Sequence, residues 1–363
     1  MDHTDVHTST DGPSGPGVPA SPHPAEVPDT IAPAPPFDPE LAVVLGALGE
    51  GTREPVTPQN LAARQRQDAA ARPRPTAGEL RADGRFDVED LRIPGPPGGQ
   101  DITLVSARPA GIPRPLPLLY YLHGGGMITG NAWSVLPRLL REWALTLELA
   151  VISVEYPLAP RTRYPGQVEA CYTGLVWAAG HADRLGIDAH RIVIGGKSAG
   201  GGLAAALALL TRDRGGPAPI GQLLLCPMLD DRNTTCSSHQ MAGIDLWDRT
   251  SNTTAWRALL GDRHGAPDLA PYAAPARATD LSGLPPAYID VGSAETFRDE
   301  GVAYAQALWQ AGGQAELHVW TGAFHGFDTV APRAAISRDA RDARLRWLRR
   351  VLSSPRPSSG ATR

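Results

Sequence analysis

One stretch constrains the fold of this chain more than any other: Ile192-Val193-Ile194-Gly195-Gly196-Lys197-Ser198-Ala199-Gly200-Gly201, leading into the apolar run Leu203 to Leu210. The first residues read as a buried strand and the last as a buried helix, with glycines between them that allow a sharp turn. Gly-x-Ser-x-Gly in such a turn lifts a serine hydroxyl above the sheet edge. It also sets the serine at a helix N-terminus, where free N–H groups stabilise developing negative charge. Two other uses of a Gly-rich turn fit less well. A phosphate-binding loop ending in Gly196-Lys197-Ser198 needs glycine at 191, where the chain has Arg191. Gly200, Gly202 and Ala205 match a loose dinucleotide fingerprint, but no acidic residue follows near Ile220-Gly221-Gln222.

The pattern around this turn repeats. Leu118 to Leu122, Val151 to Val154, Ile192 to Ile194 and Gln222 to Cys226 are short apolar runs, as expected of strands buried on both faces of a mostly parallel sheet. Helical stretches at 135–147, 168–185 and 199–212 alternate with them. Two more units follow, with strands at 287–291 and 315–320 and helices at 298–311 and 334–352. The alternation predicts a doubly wound α/β domain with helices on both faces, spanning 83–353. Ahead of it, Asp38-Pro39-Glu40 opens one helix and Thr57-Pro58 a second, so 38–82 reads as an N-terminal helical cap. Residues 231–272 break the rhythm with polar residues and a helix near 253–260, a candidate lid. Residues 1–37 are dense in Pro, Gly, Ser and Thr and read as a disordered tail, with irregularly spaced His3, His7 and His23. Residues 354–363 read as a flexible tail.

Composition removes several function classes. A formal net charge of -4 over 363 residues gives no basic surplus for nucleic acid. No apolar run reaches the roughly 18 to 20 residues of a membrane span, and the first residues lack the character of a secretory signal. A small molecule is the expected ligand. The three cysteines, Cys171, Cys226 and Cys236, have neither paired metal-type spacing nor an even count, so neither a disulfide framework nor a zinc site is expected, and a cytoplasmic location is. Cys226 reads as a small buried hydrophobe. Lys197 is the single lysine of the chain. Nothing in the sequence decides between a monomer and a homodimer.

Two further segments supply chemistry. His123-Gly124-Gly125-Gly126 follows a predicted strand and offers bare backbone N–H groups; those of Gly124 and Gly125, with that of Ala199 after the serine, can surround an oxyanion. His123 itself is expected to organise the loop. His325, in a loop after a late strand, is the candidate base. Glu295, in the loop after the strand at 287–291, is the candidate acid, and Ser198, Glu295, His325 is the chain order used by this type of site. Two alternatives stay open: Asp290 orients the histidine, or Glu295 and Asp299 serve as helix N-terminal charges.

Taken together, His123-Gly124-Gly125-Gly126, Tyr156-Pro157-Leu158-Ala159-Pro160, Gly196 to Gly201, Phe297-Arg298-Asp299-Glu300 and His325-Gly326-Phe327 resemble the hormone-sensitive-lipase family of microbial carboxylesterases, over about residues 80–352. The resemblance implies an eight-stranded α/β-hydrolase core, a helical cap over the pocket, no cofactor, and hydrolysis of esters of short or medium acyl groups. It makes Ser198 the nucleophile, His325 the base, Glu295 the acid, and the N–H groups of Gly124, Gly125 and Ala199 the oxyanion hole. The chain departs from the family in Lys197 where Asp, Glu or Thr is common, in Glu295 where Asp is common, and in Pro157 for Arg. A cation at a helix N-terminus opposes the helix dipole, so Lys197 is expected to pair with a local carboxylate or with an acidic substrate. Acyl transfer, lactone formation or elimination by the same apparatus remain alternatives, as does a non-catalytic ligand receptor.

Overall fold

The computed structural model describes Met1, residues 31–49 and residues 54–353; of the expected disordered tail over 1–37, residues 2–30 with the three histidines lie outside the described residues, as does 354–363. The end of that tail is instead placed against the domain, Gln240 Nε2 donating to the carbonyls of Ala32 and Pro33 and Phe37 packing edge-on to Phe324. Strands β1 (Phe86–Ile93), β2 (Ile102–Pro109), β3 (Leu116–Leu122), β4 (Ala150–Glu155), β5 (Ile187–Lys197), β6 (Gly221–Leu225), β7 (Ala287–Gly292) and β8 (Ala315–Trp320) form one sheet in the order β1-β2-β4-β3-β5-β6-β7-β8. β2 is antiparallel to both of its neighbours, and all pairings from β4 to β8 are parallel. Burial explains the sequence pattern: every residue of β3, β6 and β7 is buried, whereas edge strand β1 alternates and edge strand β8 is half-buried.

The main helices are α1 (Pro39–Ala47), α2 (Leu61–Ala71), α3 (Ala77–Arg81), α4 (Ala132–Leu139), α5 (Gly166–Gly180), α6 (Ala199–Arg214), α7 (Cys236–Gln240), α8 (Arg249–Leu260), α9 (Arg298–Gln310), α10 (Phe327–Val330) and α11 (Ala335–Ser353). β3 shows how two layers arise from one strand. Leu118, Tyr120 and Leu122 pack with α5, α6 and α9, while Leu119 and Tyr121 on the opposite face pack with α4 and α11. Every residue of α6 from Ala199 to Thr211 is buried, which is why this helix carries no polar stripe. Among the described residues no helix is long and apolar enough to cross a membrane.

Several boundaries differ from the sequence expectation. β5 begins at Ile187 and not at Ile192, because half-exposed Asp188 and Ala189 and exposed His190 hide its first turn from an apolar count. The expected 168–185 helix ends at Gly180 and resumes only as a turn at Ala182–Leu185. The second N-terminal helix starts at Leu61, since Thr57 and Asn60 first close a turn on each other: Thr57 N–H donates to Asn60 Oδ1 at 2.8 Å and Asn60 N–H to Thr57 Oγ1 at 3.3 Å. The 38–82 segment meets the domain at separate places. On α1, Leu41 and Leu45 pack against Phe324, Phe327 and Ala331. On α2, Gln65 Nε2 donates to the carbonyls of Ile128 (2.9 Å) and Ala159 (3.0 Å).

Candidate active site

Ser198 sits between β5 and α6 with φ 58° and ψ -122°, a conformation costing about 1–3 kcal/mol in a non-glycine residue. Its surroundings enforce it. The Ser198 N–H donates to Leu225 O at 2.8 Å, and its carbonyl accepts from Gly202 (3.0 Å) and Met228 (3.1 Å). The flanking glycines are required by space: a Cβ on Gly200 would lie 2.0 Å from Leu122 O, and one on Gly202 2.0 Å from Met228 O. Close packing of α6 onto the sheet accounts for these glycines without any nucleotide.

His325 lies in the loop between β8 and α10, and its Nε2 is 3.0 Å from Ser198 Oγ. Its Nδ1 is 3.1 Å from Glu295 Oε1. The Glu295 carboxylate is fully buried, and its second oxygen accepts the Gly292 N–H at 2.6 Å, so the extra methylene relative to aspartate folds back over its own loop. The carboxylates named in the two alternatives, Asp290 and Asp299, have other partners. Asp290 accepts from Arg344 Nε at 2.7 Å, and Asp299 accepts from Ser237 N–H at 2.6 Å. Burial works against a charged His325, but Cys226 and the Glu295 carboxylate outweigh it and hold the imidazole well above its ordinary pKa.

The glycine loop after β3 approaches the serine directly. A Cβ on Gly124 would lie 2.8 Å from Lys197 O and 3.4 Å from Ser198 Cβ, so this backbone lies against the hydroxyl-bearing turn. Among the described residues, no acceptor is paired with the N–H of Gly124, Gly125 or Ala199. His123 is 1 % exposed, stacks on Tyr156 at 4.1 Å, and contacts Gly124 O through Nδ1 at 2.9 Å. Burial lowers its pKa to about 4, which leaves it a neutral loop organiser, as expected. A Cβ in Gly124→Ala would meet Lys197 O and push this loop off the serine turn; if the Gly124 N–H serves an oxyanion, kcat is expected to fall by about 10²- to 10³-fold, as when one such donor is lost, with steady-state kinetics as the check.

Lys197 is held by the helix that follows His325. Its Nζ donates to Asp328 Oδ1 at 2.7 Å and to Thr329 Oγ1 at 2.6 Å, so the local carboxylate is its partner. Three residues near the site carried no usable sequence signal. Asp328, with no motif of its own, collects Lys197, Arg138 and Arg344. Asp245, in the polar interruption, accepts the N–H of His325 at 3.1 Å. Cys226 is buried as expected, but it lies just past β6 with φ 38°, and its sulfur faces the Glu295–His325 pair. Cys226, Glu295 and His325 present donor atoms within 4.8 Å of one another; both carboxylate oxygens and both imidazole nitrogens already have protein partners.

A family model described as the alpha/beta hydrolase fold matches residues 119–329. The chain belongs to the α/β-hydrolase family. This α/β-hydrolase is 34 % identical over 267 residues to Esterase LipI of Mycobacterium tuberculosis, covering 73 % of the present chain and 82 % of that one. Against Carboxylesterase NlhH of the same organism it is 35 % identical over 239 residues, with 65 % and 74 % covered. Among solved structures it superposes on a bacterial heroin esterase with TM-score 0.79 at 39 % identity, covering 88 % of this chain and 98 % of that one. The hyperthermophilic esterase from the archaeon Pyrobaculum calidifontis gives TM-score 0.74 at 29 % identity, with 88 % and 100 % covered. The eight-stranded fold and the resemblance to the hormone-sensitive-lipase family are both borne out.

Proposed function

We propose that this α/β-hydrolase is a serine carboxylesterase that hydrolyses esters of short or medium acyl groups through an acyl-enzyme. The observation that carries the reading is the relay from Ser198 Oγ to His325 Nε2 (3.0 Å) and from His325 Nδ1 to Glu295 (3.1 Å), within proton-transfer reach at each step. His325 takes the hydroxyl proton as Ser198 Oγ attacks the ester carbonyl. The tetrahedral oxyanion is met by the N–H groups of Gly124, Gly125 and Ala199, and the collapsing intermediate expels the alcohol, which takes the proton from His325. A water then attacks the acyl-enzyme by the same route, returning Ser198 and releasing the acid. Glu295 holds the imidazole in the tautomer with Nδ1–H and stabilises its charged form. The names of the relatives support ester hydrolysis as the reaction class.

The N-terminal helices and the 231–272 segment act in this reading as a cover over the site. Trp247 lies so close to the glycine loop that a Cβ on Gly126 would fall 2.4 Å from its ring, and Ser198 is 6 % exposed. The test is a p-nitrophenyl ester series with the wild-type chain. Expected are a burst of p-nitrophenol equal to the enzyme concentration and a stoichiometric phosphonate adduct on the peptide carrying Ser198. An adduct on another residue, or no turnover at any acyl length, would sink the reading. Product analysis with added alcohols separates hydrolysis from acyl transfer.

A further inference from the structure

Asp245 lies outside every strand and every named helix, in the segment that interrupts the sheet, yet it is 3 % exposed and its carboxylate reaches both loops that carry the acid–base pair. Oδ1 accepts the N–H of His325 at 3.1 Å and that of Leu246 at 2.7 Å. Oδ2 accepts the N–H of Thr296, next to Glu295, at 3.3 Å. Two residues on, Trp247 continues the contact: its carbonyl accepts Thr296 Oγ1 at 2.6 Å, and its ring packs on Gly126 of the glycine loop.

We propose that Asp245 is a positioning residue, a third carboxylate that fixes the backbone of the His325 loop to the backbone of the Glu295 loop, so that the inserted segment assembles the acid–base pair as well as covering it. The inference rests on the esterase reading only for its kinetic readout. A main-chain N–H cannot be moved by changing a rotamer, so two of them, one from each loop, converging on one buried carboxylate fix where the loops lie relative to each other, while the Leu246 N–H orients the carboxylate from its own segment. Proton transfer falls steeply when donor and acceptor separate by even an ångström. The three contacts are stronger with the ionised form, since a charged carboxylate accepts N–H groups better than a protonated carboxyl does.

The titratable groups facing Asp245 are His325 on the base loop and Glu295 on the acid loop. Burial raises its pKa to about 7, Glu295 adds to the rise, and His325 and the backbone donors oppose it. Activity needs Asp245 ionised and His325 neutral, so two protons leave along the acid limb of the pH profile. Removing this anion from beside His325 lowers the imidazole pKa.

The test compares Asp245→Asn with Asp248→Asn. Asp248 is as buried, lies in the same segment and accepts the N–H groups of Ser251 (2.8 Å) and Gly243 (3.1 Å), but it does not touch the two site loops. Asp245→Asn is expected to lower kcat on p-nitrophenyl acetate by about 10- to 100-fold with KM little changed. Its acid limb becomes a one-proton curve displaced to lower pH, and backbone hydrogen exchange rises in the peptides holding Thr296 and His325. Asp248→Asn is expected to lower Tm while leaving kcat, pH limb and those two peptides unchanged. Wild-type kcat and an unmoved limb in Asp245→Asn, or equal kcat losses in both variants, would overturn the positioning role. Hydrogen exchange reads the clamp without substrate, so a chain that turned over no ester would defeat the esterase reading and still report on Asp245.

Discussion

Replacing Ser198 by Ala, or His325 by Ala, is expected to lower kcat by about a millionfold, the scale seen when either partner of such a relay is removed. Glu295→Gln should cost less, about ten-thousandfold. The difference follows from geometry. Two donors face this carboxylate, His325 Nδ1 at 3.1 Å and Gly292 N–H at 2.6 Å. A glutamine offers one oxygen, so either the loop loses its anchor or the imidazole is driven to the tautomer whose Nε2 cannot accept the Ser198 proton. The pH profile separates these roles. Because Cys226 and Glu295 overcome burial and hold the His325 pKa well above its ordinary value, the wild-type acid limb of kcat/KM should lie above about 6.5, with activity gained as pH rises and the imidazole becomes neutral. In Glu295→Gln the limb moves to lower pH, since a charge that favours the imidazolium is gone. Stopped assays across the pH range in constant-ionic-strength buffer check both statements.

The parts of this site that could be read from the sequence are those in which the backbone itself must pass close to its neighbours. The turn around Ser198 needs glycines because the chain passes within 2.0 Å of where a Cβ would lie, and the loop at Gly124 has the same requirement, so both leave a local signature. His325 and Glu295 could be placed because each falls in a loop just past a strand of a parallel sheet, the edge on which such sites form. Asp245, Asp328 and Cys226 could not. Asp245 reaches His325 80 positions on, Asp328 reaches Lys197 131 positions back and Cys226 faces His325 about 100 positions on, and a lone aspartate in a polar segment looks the same whether it caps a helix, as Asp248 does, or ties two loops together, as Asp245 does. The boundary errors have a similar origin. β5 begins with partly exposed and exposed polar residues, because the lower end of a central strand can reach solvent while its upper end stays buried.

Asp328→Ala is expected to destabilise the fold by about 3–5 kcal/mol, the cost of leaving buried charges without a partner. Asp328 is 2 % exposed. It receives Lys197 at 2.7 Å and Arg138 at 2.6 Å as well as Arg344, which is itself 1 % exposed and bonded to Asp290 at 2.7 Å. Burial would raise the pKa of this carboxyl, but Arg344, Lys197 and Arg138 together hold it well below the usual carboxylate range. Its contribution is therefore fully present above the ordinary aspartate pKa of about 3.9 and is lost only as pH falls through the depressed value. Lys197→Met should cost far less, because Asp328 keeps two guanidinium partners and the lysine is partly exposed. The same cluster joins the residue before Ser198 to the helix just after His325, so Asp328→Ala should also lower kcat in the fraction that remains folded. Two of the three ammonium hydrogens of Lys197 go to Asp328 and Thr329, and the Asp328 carboxylate balances its charge locally. Lys197→Ala should therefore slow neutral and carboxylate-bearing esters by equal factors. Urea unfolding of the Asp328 and Lys197 variants, with kcat measured on both kinds of ester, would test the cluster: a selective loss on the anionic esters would move Lys197 out of the ion pair and into the binding site.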